Sequence, residues 1–356
     1  MVISLLYNRS MRFSNVAIET IAYELPPNVV TSSSLEQRLE PLYRELRLQP
    51  GQLEALTGIR ERRYWNVGDS MAGGAIKAGR KALARSAIKP VDVGMLIYAG
   101  VCRDNLEPAT ACAVADGLGL GGAAQVFDVS NACLGVINGI VQVATAIEAG
   151  QMRAGMVVSC ESARQIVDLT IGQMLAERTM DRFRLSLATL TGGSGAIAVV
   201  VCDKSLAPNG HRLLGGVIRN RVHWHQLCRW GPDTGIPSTA PMQMVTDAVG
   251  VMEHGVELGV ETWYAFLEEM GWSAEQIDRS ICHQVGAPHR DHVLKQFGLS
   301  PENDFTTYEF LGNIGTVSLP ITAAIAEERG VLEPGHRTAF CGIGSGLNCM
   351  MLGVEW

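Results

Sequence analysis

The sequence predicts a duplicated α/β fold, and three observations carry that prediction. The chain has 356 residues, too long for one small core and long enough for two related halves or one large α/β domain. A helix-to-strand succession occurs near residues 72–100 and again near 257–284. A second succession, strand, apolar helix and strand over 126–160, is echoed downstream by a loop, helix and strand over 312–344.

Each element has a local reason. From residue 72, "AGGAIKAGRKALARSAI" is rich in helix formers, meets Pro90, and leads into "GMLIYAG" at 94–100, which reads as a buried strand. Strand 126–130 precedes a helix over about 135–149, "GVINGIVQVATAIEAG", that is apolar on nearly every face and so belongs in the middle of the protein, between two layers of sheet. "AGMVVSC" at 154–160 is the next strand. Segment 162–192, with Met174, Met180 and Leu185 among alternating charges, interrupts the repeat; it is expected to cover a substrate cavity or form a subunit contact. In the second half "ELGVETWYAFLEEMGWSAEQID" reads as helix plus turn, "RSICHQ" at 279–284 as strand, "GNIGTVSLPITAAIAEERG" as loop and helix, and "HRTAFCGIG" at 336–344 as strand. The halves are expected at about 11–205 and 206–356.

Apolar residues make up 47% and charged residues 18% of the chain, with 39 glycines, a compact globular composition. A formal charge of -7, with no basic block longer than "RERR" at 60–63, argues against nucleic acid or a membrane surface as partner and leaves a small molecule or another subunit. Nine cysteines, odd in number and without a CxxC pair, disfavour a disulfide framework or a zinc site and fit a reducing cytoplasm. Residues 2–7 form a short apolar stretch without a basic residue ahead of it, so no signal peptide is expected, and Met11 offers an alternative start. No run approaches the ~18 apolar residues of a membrane span.

Cys133, in "VFDVSNACLGVINGIV", follows a strand and precedes the apolar helix, which brings its sulfur near unpaired helix N–H groups and the positive helix end. That placement favours a thiolate nucleophile. On position alone a space-filling core thiol competes with it. Cys160, Cys202, Cys282 and Cys341 fall in or at the ends of strands, where packing is the natural reading. His283, at the end of a strand in "ICHQVGAPH", stands where α/β sites collect and suits a proton carrier; a hydrogen-bonded core histidine is the alternative. His289, His292 and the "HWH" at 223–225 lack a convincing ligand set, so a metal site is the weaker reading. Asn313, in the glycine-bracketed "LGNIGTVS", offers an amide donor to a developing oxyanion or a helix cap. "GIGSGLN" at 342–348 brings bare backbone N–H groups to a strand end and is not a nucleotide fingerprint.

Together "DVSNACLG", "HQVGAPH", "GNIGTVS" and "GIGSGLN", in this order, resemble the thiolase-fold condensing enzymes of the ketoacyl synthase III group over roughly residues 12–356. The resemblance implies a five-layer αβαβα thiolase fold and a triad of Cys133, His283 and Asn313, with backbone N–H groups at Cys133, Ser345 and Gly346 as oxyanion donors. This chain has "HQVG" and Asn-Ala-Cys where synthase III proteins carry "HQAN" and Ala-Ala-Cys. It also lacks their Trp and Arg ahead of "TGI". With "CRDNLEPATA", "NACLGVING" and "GIGSGLNC" it is closer to the olefin-biosynthesis thiolases of the OleA type. That family implies a glutamate delivered by the partner subunit, here Glu107, otherwise an exposed loop carboxylate before a proline. The activity implied is non-decarboxylative Claisen condensation of two fatty acyl-CoAs to a β-keto acid by a homodimer or heteromer, with coenzyme A thioesters as substrates and no bound cofactor. The alternatives are a synthase III using acyl-CoA and malonyl-carrier protein, and a non-catalytic partner subunit, which would be expected to lack the nucleophile.

Overall fold

A computed structural model of the chain describes residues 10–232 and 242–356. The apolar stretch at residues 2–7 lies outside them. The first half contains strand β1 (Val16–Glu24), helix α1 (Met71–Arg85), β2 (Met95–Ala99), α2 (Thr110–Leu118), β3 (Gln125–Val129), α3 (Gly135–Glu148), β4 (Ala154–Glu161), α4 (Arg164–Glu177), α5 (Met180–Leu190) and β5 (Gly195–Asp203). The second half follows with β6 (His211–Asn220), α6 (Ala248–Met270), β7 (Arg279–Cys282), α7 (Ala287–Phe297), α8 (Ser318–Glu328), β8 (Arg337–Gly344) and β9 (Asn348–Glu355).

The strand order across the sheet is β7-β8-β9-β6-β1-β5-β4-β2-β3, with Ser10–Arg12 added beside β6. From the middle outward each half repeats the same path, β1-β5-β4-β2 on one side and β6-β9-β8-β7 on the other, with parallel pairing at β4–β2 and at β8–β7. The counterpart of edge strand β3 is reduced to a single parallel bridge between Ser280 and Asp304. The halves meet at β1–β6 through two residue pairs, Ala17 with Arg212 and Ile18 with His211.

Alternation along the strands divides the buried side chains into layers. Ile18, Ile97, Val157 and Val199 from one half, and Phe340, Met350 and Leu352 from the other, pack on α3 and α8, which form a central helical layer. The opposite faces carry Ala22, Leu96, Val158 and Val200 against α1 and α2, and Ala339, Cys349 and Met351 against α6 and α7. This is a five-layer arrangement, and the all-round apolar character of α3 follows from its central place. Close contact of α3 with β4 depends on paired glycines. A Cβ on Gly139 would stand 2.7 Å from Val157 Cγ1, and one on Gly155 2.6 Å from Val143 Cγ1.

Two boundaries differ from the sequence expectation. Helix α6 begins at Ala248, about two turns before residue 257, because the Asp247 carboxylate accepts the Gly250 N–H at 3.0 Å and caps it there. Strand β7 ends at Cys282, so His283 lies one residue beyond it. Segment 162–192 forms α4 and α5, whose apolar faces pack with the helices of residues 32–57 in a separate cluster containing Leu35, Leu42, Met174 and Phe183. All nine cysteines are free thiols. Among the described residues no helix is long and apolar enough to cross a membrane.

Candidate active site

A cavity of about 300 Å³ opens at the ends of β4 and β8, and Cys133, Asn313 and Ser345 line it together. Its walls include Ile166, Ala188 and Thr189 of α4 and α5, so the inserted segment does cover the cavity. Cys133 sits in the turn between β3 and α3. The preceding Ala132 holds a left-handed φ of +44°, a conformation that costs a non-glycine residue energy and recurs where a side chain must be presented at an angle. The N-terminus of α3 has no capping side chain of its own. Instead the Thr316 hydroxyl, from the turn after Asn313, accepts the Val136 N–H at 2.7 Å. One half thus completes a helix end in the other.

The glycine at the end of β8 lets that strand approach Cys133, because a Cβ on Gly344 would lie 3.3 Å from the Cys133 backbone nitrogen. Ser345 follows in the cavity wall, and Gly346, at φ +140°, turns the chain into β9. Asn313 is fixed by its own turn: its Oδ1 accepts the Gly315 N–H at 3.1 Å, which orients the amide and leaves Nδ2 as the donor. Asn131 holds the other side of the turn. Its Nδ2 donates to Asn138 Oδ1 on α3, and its Oδ1 accepts from Asn348 Nδ2 at 3.1 Å.

His283 is 5% exposed, and its backbone N–H donates to Cys341 O at 2.8 Å, which places it beside β8 three residues before Gly344, the glycine that approaches Cys133. It lines a separate, smaller cavity with His289 and Cys341 rather than the one that Cys133, Asn313 and Ser345 share. Burial, reinforced by His289, pulls the His283 imidazole down to about 3, and burial with His292 pulls His289 down to about 4. Both rings are neutral at physiological pH.

The surroundings of the Cys133 sulfur oppose the thiolate that the helix end favours. Burial, followed by the charges of Cys228 and Glu161, pushes the thiol up to about 12. A helix N-terminus returns at most about 2 kcal/mol, or about 1.5 pKa units, which is not enough to ionise the sulfur. The surroundings therefore favour a neutral thiol at Cys133 and a neutral imidazole at His283.

Glu107 is not brought to Cys133 within the chain. It stands exposed at the tip of the loop between β2 and α2, beside Leu106, which is 98% exposed. The sequence reading missed Glu161, Thr189, Cys228 and Trp230 in the cavity wall. Of these Glu161 had a signal, as an acidic residue closing an otherwise uncharged strand.

A half-buried cysteine before the central helix of a duplicated five-layer fold, with an amide donor in its cavity and a neutral imidazole supplied by the other half, defines a thiolase-superfamily condensing acyltransferase. Family models agree: residues 127–220 match 3-oxoacyl-[acyl-carrier-protein] synthase III and residues 267–356 match its C-terminal region. The chain is 53% identical to the acyl-CoA:acyl-CoA alkyltransferase of Shewanella oneidensis, over 97% of this chain and 100% of that protein. It is 38% identical to the enzyme of the same name from Xanthomonas campestris, again over 97% and 100%. A crystal structure of Xanthomonas campestris OleA superposes with a TM-score of 0.91 at 37% identity, covering 97% of this chain and 98% of that one. The chain belongs to the acyl-CoA:acyl-CoA alkyltransferase family.

Proposed function

We propose that this enzyme joins two fatty acyl-CoAs head to head without decarboxylation. The observation that carries the reading is the shared cavity of Cys133, Asn313 and Ser345 in a chain so similar to these alkyltransferases. A Xanthomonas campestris OleA variant with bound lauric acid and lauroyl-CoA supports long-chain thioesters as the substrate class.

In the first half-reaction Cys133 attacks the thioester carbonyl while its proton passes to His283. With the thiol near 12 and the imidazole near 3 a standing ion pair is unfavourable, so proton transfer accompanies S–C bond formation. Backbone N–H groups at Cys133, Ser345 and Gly346 hold the oxyanion, and coenzyme A departs with the proton. In the second, Glu107 of the partner subunit removes the α-proton of another acyl-CoA, and His283 and Asn313 stabilise the enolate. The enolate carbon attacks the Cys133 thioester, the cysteine sulfur leaves, and water cleaves the resulting β-ketoacyl-CoA to a β-keto acid and coenzyme A. The exposed position of Glu107, outside its own cavity, supports its delivery to a second copy of the chain. The free cysteines support a cytoplasmic setting, and the repeated strand path supports halves at 11–205 and 206–356.

Two equivalents of myristoyl-CoA, without any malonyl donor, should yield a β-keto acid or its ketone by mass spectrometry. Activity confined to malonyl-carrier protein would instead select a synthase III. Failure of any acyl-CoA to form a Cys133 adduct would select a non-catalytic subunit.

A further inference from the structure

Glu161 closes β4 and lines the catalytic cavity, yet no step above uses it. It is a carboxylate only 5% exposed, and burial raises its pKa against the opposing effect of two backbone N–H bonds. Those bonds come from Val101 at 2.8 Å and Cys102 at 3.2 Å, the second and third residues of the loop that carries Glu107. The same junction is stitched twice more. The Tyr98 hydroxyl lies 2.7 Å from Cys102 O and 2.8 Å from Cys160 O, and Ser162 N–H donates to Cys102 Sγ at 3.4 Å.

The rest of that loop is fastened to the outer layer. The Asp104 carboxylate accepts the N–H groups of Met71 and Ala72 at the start of α1, at 2.7 and 2.8 Å. Asp128 accepts those of Thr110 and Ala111 at the start of α2, both at 2.9 Å. Leu106, Glu107 and Pro108 remain as the exposed tip. Of the three carboxylates that anchor the loop, Glu161 is the one that stands in the catalytic cavity.

We propose that Glu161 is a positioning residue for carbanion formation, its carboxylate fixing the root of the loop that presents Glu107 to the partner subunit. This rests on Glu107 being the partner-delivered base. The rival role lies within its own cavity, because a Cβ on Gly315, in the turn after Asn313, would stand only 3.5 Å from Glu161 Cγ. The two roles differ in which active site suffers when Glu161 is changed. A positioning residue on the Glu107 loop weakens the partner's site, whereas a residue acting on Cys133 or Asn313 weakens its own.

Mixed dimers separate them. Glu161→Gln keeps the volume and removes one acceptor. In its homodimer the condensation rate should fall by roughly tenfold to a hundredfold, the cost of misplacing a reacting group by about 1 Å, while Cys133 acylation, read by intact mass, changes little. Co-folding Glu161→Gln with Cys133→Ala pairs an intact nucleophile with a correctly held Glu107 loop. One working site per mixed dimer gives about a quarter of wild-type turnover from statistical pairing, well above either homodimer. The same recovery is expected from Glu107→Ala with Cys133→Ala.

Recovery in the Glu107 pair without recovery in the Glu161 pair overturns the inference alone. Absence of recovery in both overturns the partner-subunit reading and the inference with it. Should Glu161→Gln not fold, hydrogen exchange on the wild-type enzyme decides: slow exchange at the Val101 and Cys102 amides is expected, and exchange as fast as at the loop tip overturns the clamp.

Discussion

The pH response of Cys133 follows from which of two opposing effects is larger. A thiol pushed from 9.0 to about 12 by burial and by neighbouring Cys228 and Glu161 is ionised only to about one part in ten thousand at pH 8, against roughly one in ten without the shift. The N-terminus of α3 can return about 1.5 units at most, which still leaves the group above 10. The rate of Cys133 alkylation by iodoacetamide should therefore climb about tenfold per pH unit from pH 7 to 9.5 without levelling off, as read by peptide mass spectrometry. A plateau below pH 9 would refute the reasoning and show that the helix end outweighs burial. Acylation by myristoyl-CoA should not share this profile, since the proposed mechanism passes the proton to His283 during attack. His283→Ala should slow acylation by about a hundredfold or more while leaving the slope of the alkylation profile intact.

Three further outcomes are expected. Thr316→Val removes the hydroxyl that accepts the Val136 N–H and should cost about 1 kcal/mol as a lost helix cap, measured by urea unfolding; unchanged stability would mean that the contact is dispensable. Ala188→Phe should fill part of the 300 Å³ cavity and shift preference toward shorter acyl-CoAs, and an unchanged chain-length profile in competition assays would exclude this wall from the acyl site. Stability should fall as pH drops below about 6.5, because unfolded histidines bind protons there while folded His283 and His289 resist protonation until about 3 and about 4. Replacing both with Asn should flatten that acid limb in denaturant melts.

The sequence exposed what depends on local pattern. β2, β4 and β8 announced themselves as apolar runs between turn signals, and α3 showed its central position by lacking a polar face. Cys133 and Asn313 were legible because each sits in a turn directly ahead of an apolar helical stretch. What opposes ionisation of Cys133 was not, since the helix end is visible in sequence whereas the groups around the sulfur, such as Cys228 and Glu161, are distant in the chain. The contact of Glu161 with Val101 spans 60 positions, so nothing in "VVSCES" reveals what its carboxylate holds. The capping of α3 by Thr316 joins residues 180 positions apart and was likewise hidden.

The repeated strand path also relates the proposed catalytic residues to one another. β2 and β7 are equivalent strands, and the segments that follow them carry Glu107 and His283. α3 and α8 are equivalent helices, and the turns ahead of them carry Cys133 and Asn313. β4 and β8 are equivalent strands, ending in Glu161 and Gly344. The proposed catalytic and positioning residues therefore fall at three positions of the repeat, each used twice and differently: acid against imidazole, sulfur against amide, side chain against bare backbone. Exchanging residues between these paired positions gives enzyme engineering a rational grid of six coordinates on which to redistribute the chemistry.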